Sequence, residues 1–370
     1  MNSASRFART AVAVACIAAI ASPSFACTAV DIVARDNTVV AGRTMEWVFD
    51  MQWAVVSLPK GTPVTLSAPP SLNLPARTLP TRYGIVGVSP GVIPGNVLLE
   101  GQNSAGLGMS GNFLPGFTQY QTVTPQDRNY VSILSFGTWA LGNHATVAEL
   151  RAALPGIKVW TDPSLPSGPT PPYIHFVFTD RSGAGMVVEY TGGQLHVFDN
   201  AAHVLTNAPT YDWHLTNLRN YLNLTTTGPA SVKVGEGNVT AIGQGGGLVG
   251  IPGDYTPPSR FVRSTFLRHY VPQPANAAEA TQVVGHILNN VDIPIGIAVS
   301  KDGDHVVSDY TQWVALKDLT HNKLMIADYA HRTNYVTLDL DVLFAQDKPL
   351  SVKVNDLPWP APSDASRSLR

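Results

Sequence analysis

The stretch Ala26-Cys27-Thr28 constrains this chain more than any other. Ahead of it, Arg6 and Arg9 make a positive start, and the apolar run AVAVACIAAIA over 11–21 is too short to cross a bilayer. Ser24-Phe25-Ala26 places small residues three and one positions before a cut at Ala26–Cys27, the pattern of an export signal. Residues 1–26 are therefore expected to be removed, and the remainder to work in the periplasm or outside the cell. Cys27 then opens the mature chain with a free α-amine and a free thiol on one residue. Lipidation of Cys27 is the rival reading; a lipobox wants an aliphatic residue where Ser24 stands. No later run reaches about 18 apolar residues, so no membrane-spanning helix is expected.

Cysteine usage sharpens this reading. The chain has two, Cys16 inside the signal and Cys27. A single cysteine cannot form an internal disulfide, and a lone thiol in an oxidising compartment is a liability unless it is used. The 370 residues are 44% hydrophobic and 14% charged, enough for a real core. A net charge of −2 leaves no electrostatic footprint for nucleic acid or an anionic membrane.

Taken in order, Cys27 to Ile32 and Thr38 to Gly42 read as two strands around an Asp36-Asn37 turn. Further short strands are expected at 52–58, 83–88 and 97–100, and 67–80 is Pro-rich and reads as a loop. Helices are expected near 129–142 and 145–154, the second opening on a capping box of Thr146 and Glu149. Thr161 to Pro172 is a Pro/Ser loop. Three strands over 173–199 look like a meander. Helices follow near 213–222, 259–270 and 276–290, the last with Asn276 and Glu279 as a cap pair, and 293–340 reads as strands again. The Gly-rich run 243–253 lacks the Lys-Ser/Thr ending of a phosphate loop. Strands, helices, strands, helices, strands is an order that suits a layered α+β domain over 27–345 rather than a doubly wound sheet. The Pro/Ser-rich tail, 346–370, is expected to be loosely held.

Amide hydrolysis needs a nucleophile, a base, an acid for the leaving amine and donors for the oxyanion. A terminal cysteine supplies the first three. Its α-amine titrates near ~8 and can shuttle a proton. Its thiol is already a few per cent ionised at neutral pH, and a nearby guanidinium increases that fraction. Arg43, sixteen residues and one hairpin away, is placed to return to Cys27. Taken singly, Cys27 is equally well a buried small hydrophobe and Arg43 a surface residue.

CTAV at the processed terminus, GRTMEW, GQNSAGLGMSGNFLPG, VLTNAPTYDWH and GLVGIPGDYTPPSRFVR follow one another in this order. Together they resemble the choloylglycine hydrolase family, which contains bile salt hydrolases and penicillin V acylases, from Cys27 to about residue 345. The resemblance implies the four-layer αββα fold of N-terminal-nucleophile hydrolases, no metal or cofactor, and a homotetramer. It implies Cys27 as the nucleophile and Arg43 as the arginine beside it. Glu46 falls where the family usually has Asp against the nucleophile's amine, one methylene longer. Asn207 matches the oxyanion asparagine, although an Asn before Ala-Pro is most often a turn residue. Arg260 matches the second arginine of the site, although after Pro-Pro-Ser an Arg is most often a helix-start surface residue. The backbone N–H at Phe113, or at Asn112 with a shift of one, matches the second oxyanion donor.

Met45, Trp47, Met51 and Trp53, with Phe113, are candidates to line an acyl pocket; singly, each is equally well ordinary core. The aromatic at the oxyanion segment and the style of the signal favour a penicillin V or N-acyl homoserine lactone acylase over a bile salt hydrolase. A non-catalytic binding protein on the same fold is the alternative of another class. His175, His196, His203 and His214 fit no usual zinc spacing and read as alternating strand positions.

Overall fold

In the computed structural model the described residues are 26–369, apart from 94, 96, 162–171, 303, 304, 362 and 363. The expected signal, save Ala26, and nearly all of the Pro/Ser loop at 161–172 lie outside them.

The first hairpin sets the frame. β1 (Cys27–Val33) pairs antiparallel with β2 (Val39–Trp47), with Cys27 opposite Met45 and Ala29 opposite Arg43. The sequence expectation ended the second strand at Gly42; pairing with the long strand His305–Asp318 carries it on to Trp47. These strands form the centre of a seven-stranded sheet with Val204–Leu205 at one edge and Val336–Asp339 at the other. A second, eight-stranded sheet runs from Gln194–Asp199 through Ile174–Thr179 and Gly108–Phe113 to Ala54–Leu58 and Leu350–Lys353.

Helices cover the outer faces. Ile133–Asn143 (α1) and Val147–Ala153 (α2) belong to the second sheet's side. Tyr211–Asn217 (α3), Pro257–Tyr270 (α4) and Ala277–Asn289 (α5) belong to the first sheet's side. The chain is thus an α+β, four-layer αββα sandwich, the N-terminal-nucleophile hydrolase fold. Both cap signals are used: Thr146 accepts from the Glu149 N–H at 3.1 Å and Asn276 from the Glu279 N–H at 3.1 Å.

Strand alternation then divides the hairpin's residues between two environments. Even-numbered residues face the helices. A Cβ on Gly42 would meet Val284 Cγ1 at 2.6 Å and Leu288 Cδ1 at 2.9 Å, so the absent side chain lets α5 close on β2. Odd-numbered residues face the second sheet, where Trp47 packs edge-on against Phe113 with ring centroids 5.4 Å apart.

Two expectations are corrected. The tail does not come loose at 346. Leu350–Lys353 pairs with Ala54–Leu58 at the sheet edge, and Val354 and Leu357 are buried in the core, because a sheet edge and an apolar surface are there to receive them. The loop at 67–80 contains a strand, Arg77–Pro80, paired with Pro63–Leu66. The four histidines also separate. His175 and His196 lie on strands, while His203 occupies a left-handed turn (φ 52°) and His214 lies on α3.

Candidate active site

The site grows out of the two faces of β1 and β2. On the odd face, Cys27 is buried, with Arg43 Nη2 3.3 Å from its Sγ and Met45 Sδ 3.8 Å away. Arg43 is itself held. Its Nε donates to Asn112 Oδ1 at 3.0 Å and its Nη1 to the Leu99 carbonyl at 3.2 Å, and its guanidinium lies over the Trp313 ring, 5.2 Å from the centroid. Burial pushes the Cys27 thiol up, and the Arg43 guanidinium draws it back down.

Cys27 and Arg43 open onto a small, mostly apolar cleft. Met45, Trp47, Met51 and Phe113 line it, joined by residues such as Leu98, Ile133, Ile174 and Phe176. Arg43 is the one charged residue among the described lining. Trp53 is not on this cleft. Its Nε1 donates to Gln312 Oε1 at 2.6 Å and its ring packs edge-on against Trp313, beside a different hollow. Size and closeness in sequence to the matched residues take no account of the chain leaving the first sheet for the second here.

The even face and its helices carry the polar groups. The Cys27 nitrogen, joined to Ala26 in this chain, donates to Asn207 Oδ1 at 2.7 Å. Arg260, fully buried at the start of α4, donates to Asn207 Oδ1 (2.7 Å), the Cys27 carbonyl (2.6 Å), Thr28 Oγ1 (2.5 Å) and the Tyr255 carbonyl (2.9 Å). Asn207 Nδ2 donates to the Phe113 carbonyl at 2.8 Å, which ties the two segments matched to oxyanion donors. Cys27, Arg43, Asn207, Arg260 and Phe113 are therefore brought together from four parts of the chain.

Glu46 comes near but bonds elsewhere. Its two carboxyl oxygens accept from Thr44 Oγ1 (3.0 Å) and Thr311 Oγ1 (2.6 Å), while the Cys27 nitrogen is taken by Asn207. Burial raises its pKa to about 8, against the pull of Arg260. Asn112 side-chain atoms hold Arg43 and, through Nδ2, the carbonyls of Leu205 (3.1 Å) and Thr206 (2.9 Å).

Three groups were not found by sequence reasoning. His175 bridges Glu189 Oε1 (2.9 Å) and the Thr206 carbonyl (3.0 Å), and His214 Nε2 meets the Asn207 carbonyl at 2.9 Å, so both steady the Asn207 segment. Asp309 Oδ2 accepts from the Ala26 N–H at 2.9 Å. Nothing local marks Asp309, which lies 283 residues from that partner.

Comparison with known proteins shows what this chain is similar to. A bile salt hydrolase/transferase of Clostridium perfringens is 30% identical over 293 residues, 79% of this chain and 86% of that protein. One from Bifidobacterium longum is 26% identical over 316 residues, 85% and 96% of the two chains. Among solved structures, a mutant of the conjugated bile acid hydrolase of Clostridium perfringens superposes with a TM-score of 0.76 at 28% identity, covering 89% of this chain and 97% of that one. The penicillin V acylase of Agrobacterium tumefaciens shares the fold, with a TM-score of 0.70 at 22% identity over 88% and 91% of the chains. With the family description matching residues 27–349, the chain belongs to the linear amide C-N hydrolases of the choloylglycine hydrolase family.

Proposed function

We propose that this linear amide hydrolase uses Cys27 as an N-terminal nucleophile, exposed by removal of residues 1–26 during export to the periplasm or beyond. The observation that carries the proposal is the Cys27 thiol at the head of an apolar cleft, with a guanidinium 3.3 Å away. Arg43 favours the thiolate, which attacks the amide carbonyl. One Asn207 Nδ2 hydrogen and the backbone N–H at Phe113 receive the oxyanion. The Cys27 ammonium gives a proton to the leaving amine, and the amine then takes one from the water that hydrolyses the thioester.

The substrate we propose is an amide with a bulky apolar acyl group, of the penicillin V or N-acyl homoserine lactone type. The aromatic pair of Trp47 and Phe113 in the cleft supports this. A bile salt hydrolase is the second reading, favoured by the names of the relatives at 26–30% identity. Steady-state hydrolysis of penicillin V, a long-chain acyl homoserine lactone and glycocholate by mature enzyme separates them. A tenfold lead in kcat/KM for either of the first two, about 1.4 kcal/mol of discrimination, supports the acylase reading, and a glycocholate lead replaces it.

A further inference from the structure

Behind the nucleophile, on the side away from the cleft, lies a second hollow lined by Ala26, Val48, Tyr255, Ile293 and Asp309. Asp309 is 4% exposed. One of its oxygens holds the Ala26 N–H at 2.9 Å, and the other, Oδ1, is buried with no hydrogen-bond partner among the described residues. A buried carboxylate oxygen without a donor is costly, and such atoms call for an explanation. Glu46 turns its two oxygens to the hydroxyls of Thr44 and Thr311 and makes no hydrogen bond to the Cys27 nitrogen, which Asn207 Oδ1 accepts.

We infer that Asp309 is the counter-ion of the Cys27 α-ammonium in the mature chain, a positioning residue for the proton transfers of the reaction. This rests on the proposal that Cys27 becomes the first residue. Removing Ala26 deprives Asp309 of its one bonded donor among the described residues and opens the space between the carboxylate and the new terminus. Ala26 and Cys27 nitrogens are one residue apart, at most about 3.6 Å, so the carboxylate starts within about 6.5 Å of the ammonium. An ammonium has three donors. Asn207 Oδ1 already accepts from that nitrogen, and Asp309 offers the charge that Asn207 lacks. The charged and titratable groups around Asp309 are Arg260 from α4, Glu46 from β2, Cys27 from β1, and Asp254 and Tyr255 across the hollow. Burial raises Asp309 to about 7 while Ala26 is in place, and a fixed cation in that space favours its charged form.

The test follows the α-amine itself. Mature wild type, Asp309→Asn, Asp309→Glu and Glu46→Gln are first weighed intact to confirm that each begins at Cys27. The pH dependence of reductive methylation of the α-amine is then read on the N-terminal peptide. Asp309→Asn is expected to lower the titration midpoint by about one unit. It is expected to lower kcat about tenfold with KM unchanged, and to move the alkaline limb of kcat/KM to lower pH. Asp309→Glu restores the midpoint, which a mere packing defect would not allow. If Asp309→Asn does not accumulate folded, Asp309→Ser carries the same expectation. A midpoint and kcat unchanged in Asp309→Asn, or a midpoint that responds to Glu46→Gln instead, overturns the assignment of Asp309 and leaves the nucleophile proposal standing. A processed wild-type chain that begins elsewhere than Cys27 overturns both.

Discussion

The two faces of the first hairpin differ as sharply as two solvents. On the odd face, Cys27, Arg43, Met45 and Trp47 look into an apolar cleft with one charge among its described lining. On the even face, Thr28, Thr44 and Glu46 look toward Arg260, Asn207 and Thr311 in a buried polar network. One residue, Cys27, joins them: its Sγ belongs to the first environment and its nitrogen to the second. The difference separates two tasks that are chemically at odds. Selecting an apolar acyl group calls for a dry wall, and moving protons calls for fixed polar groups.

If that division holds, variants on the two faces fail differently. Arg260→Met is expected to have the largest effect on stability, about 3 kcal/mol, because Asn207, the Cys27 carbonyl and the Tyr255 carbonyl each lose a buried donor. Urea unfolding measures it, and a loss under 1 kcal/mol would show the network to be dispensable. Arg43→Leu should leave the fold standing yet cut kcat/KM about 10²-fold. Its acid limb should move to higher pH, since the thiol that burial pushes up loses the cation that draws it down.

Phe113→Ala should lower kcat/KM for a bulky acyl amide about tenfold while sparing an acetyl amide. Trp53→Ala, off the cleft, should destabilise the protein and leave the ratio between those two substrates unchanged. A ratio that moves with Trp53 would put it back in the acyl site.

A further effect concerns pH. In the uncleaved chain Glu46 has its pKa raised from 4.5 to about 8 by burial. The unfolded chain therefore ionises this group at lower pH than the folded one, so its contribution to stability is full below about pH 4.5 and declines as pH rises toward 8. Asp309, raised from 3.8 to about 7, adds a decline of the same sign. Thermal melting across pH 4–9 should show Tm falling through this window and a flatter curve for Glu46→Gln. Parallel curves for the two proteins would mean that Glu46 is ionised in the fold.

What could be read in the sequence was local or carried by motif. The hairpin that returns Arg43 to Cys27 follows from a separation of sixteen residues with a turn between, and the caps at Thr146 and Asn276 follow from side chains three residues apart. The five spaced motifs reached the αββα fold and the family. What stayed hidden depends on partners far along the chain. Asp309 meets Ala26 across 283 residues, and Leu350–Lys353 becomes a strand only because Ala54–Leu58 offers an edge. Trp53 was misplaced because closeness in sequence to the matched residues was taken for closeness to the cleft, while the chain moves from the first sheet to the second here. Glu46 was matched by position to the nucleophile's amine; what position did not show is that its side chain, on the same face of β2 as the Cys27 nitrogen, accepts from the hydroxyls of Thr44 and Thr311.

The central claim is that Cys27, as the first residue of the mature chain, performs the chemistry. Turnover of the best of the three amides by Cys27→Ala, with circular dichroism and melting to confirm the fold, tests it most directly. The account predicts a loss of at least about 10⁴-fold in kcat with the fold intact. A folded Cys27→Ala protein that turns over within tenfold of wild type would contradict it.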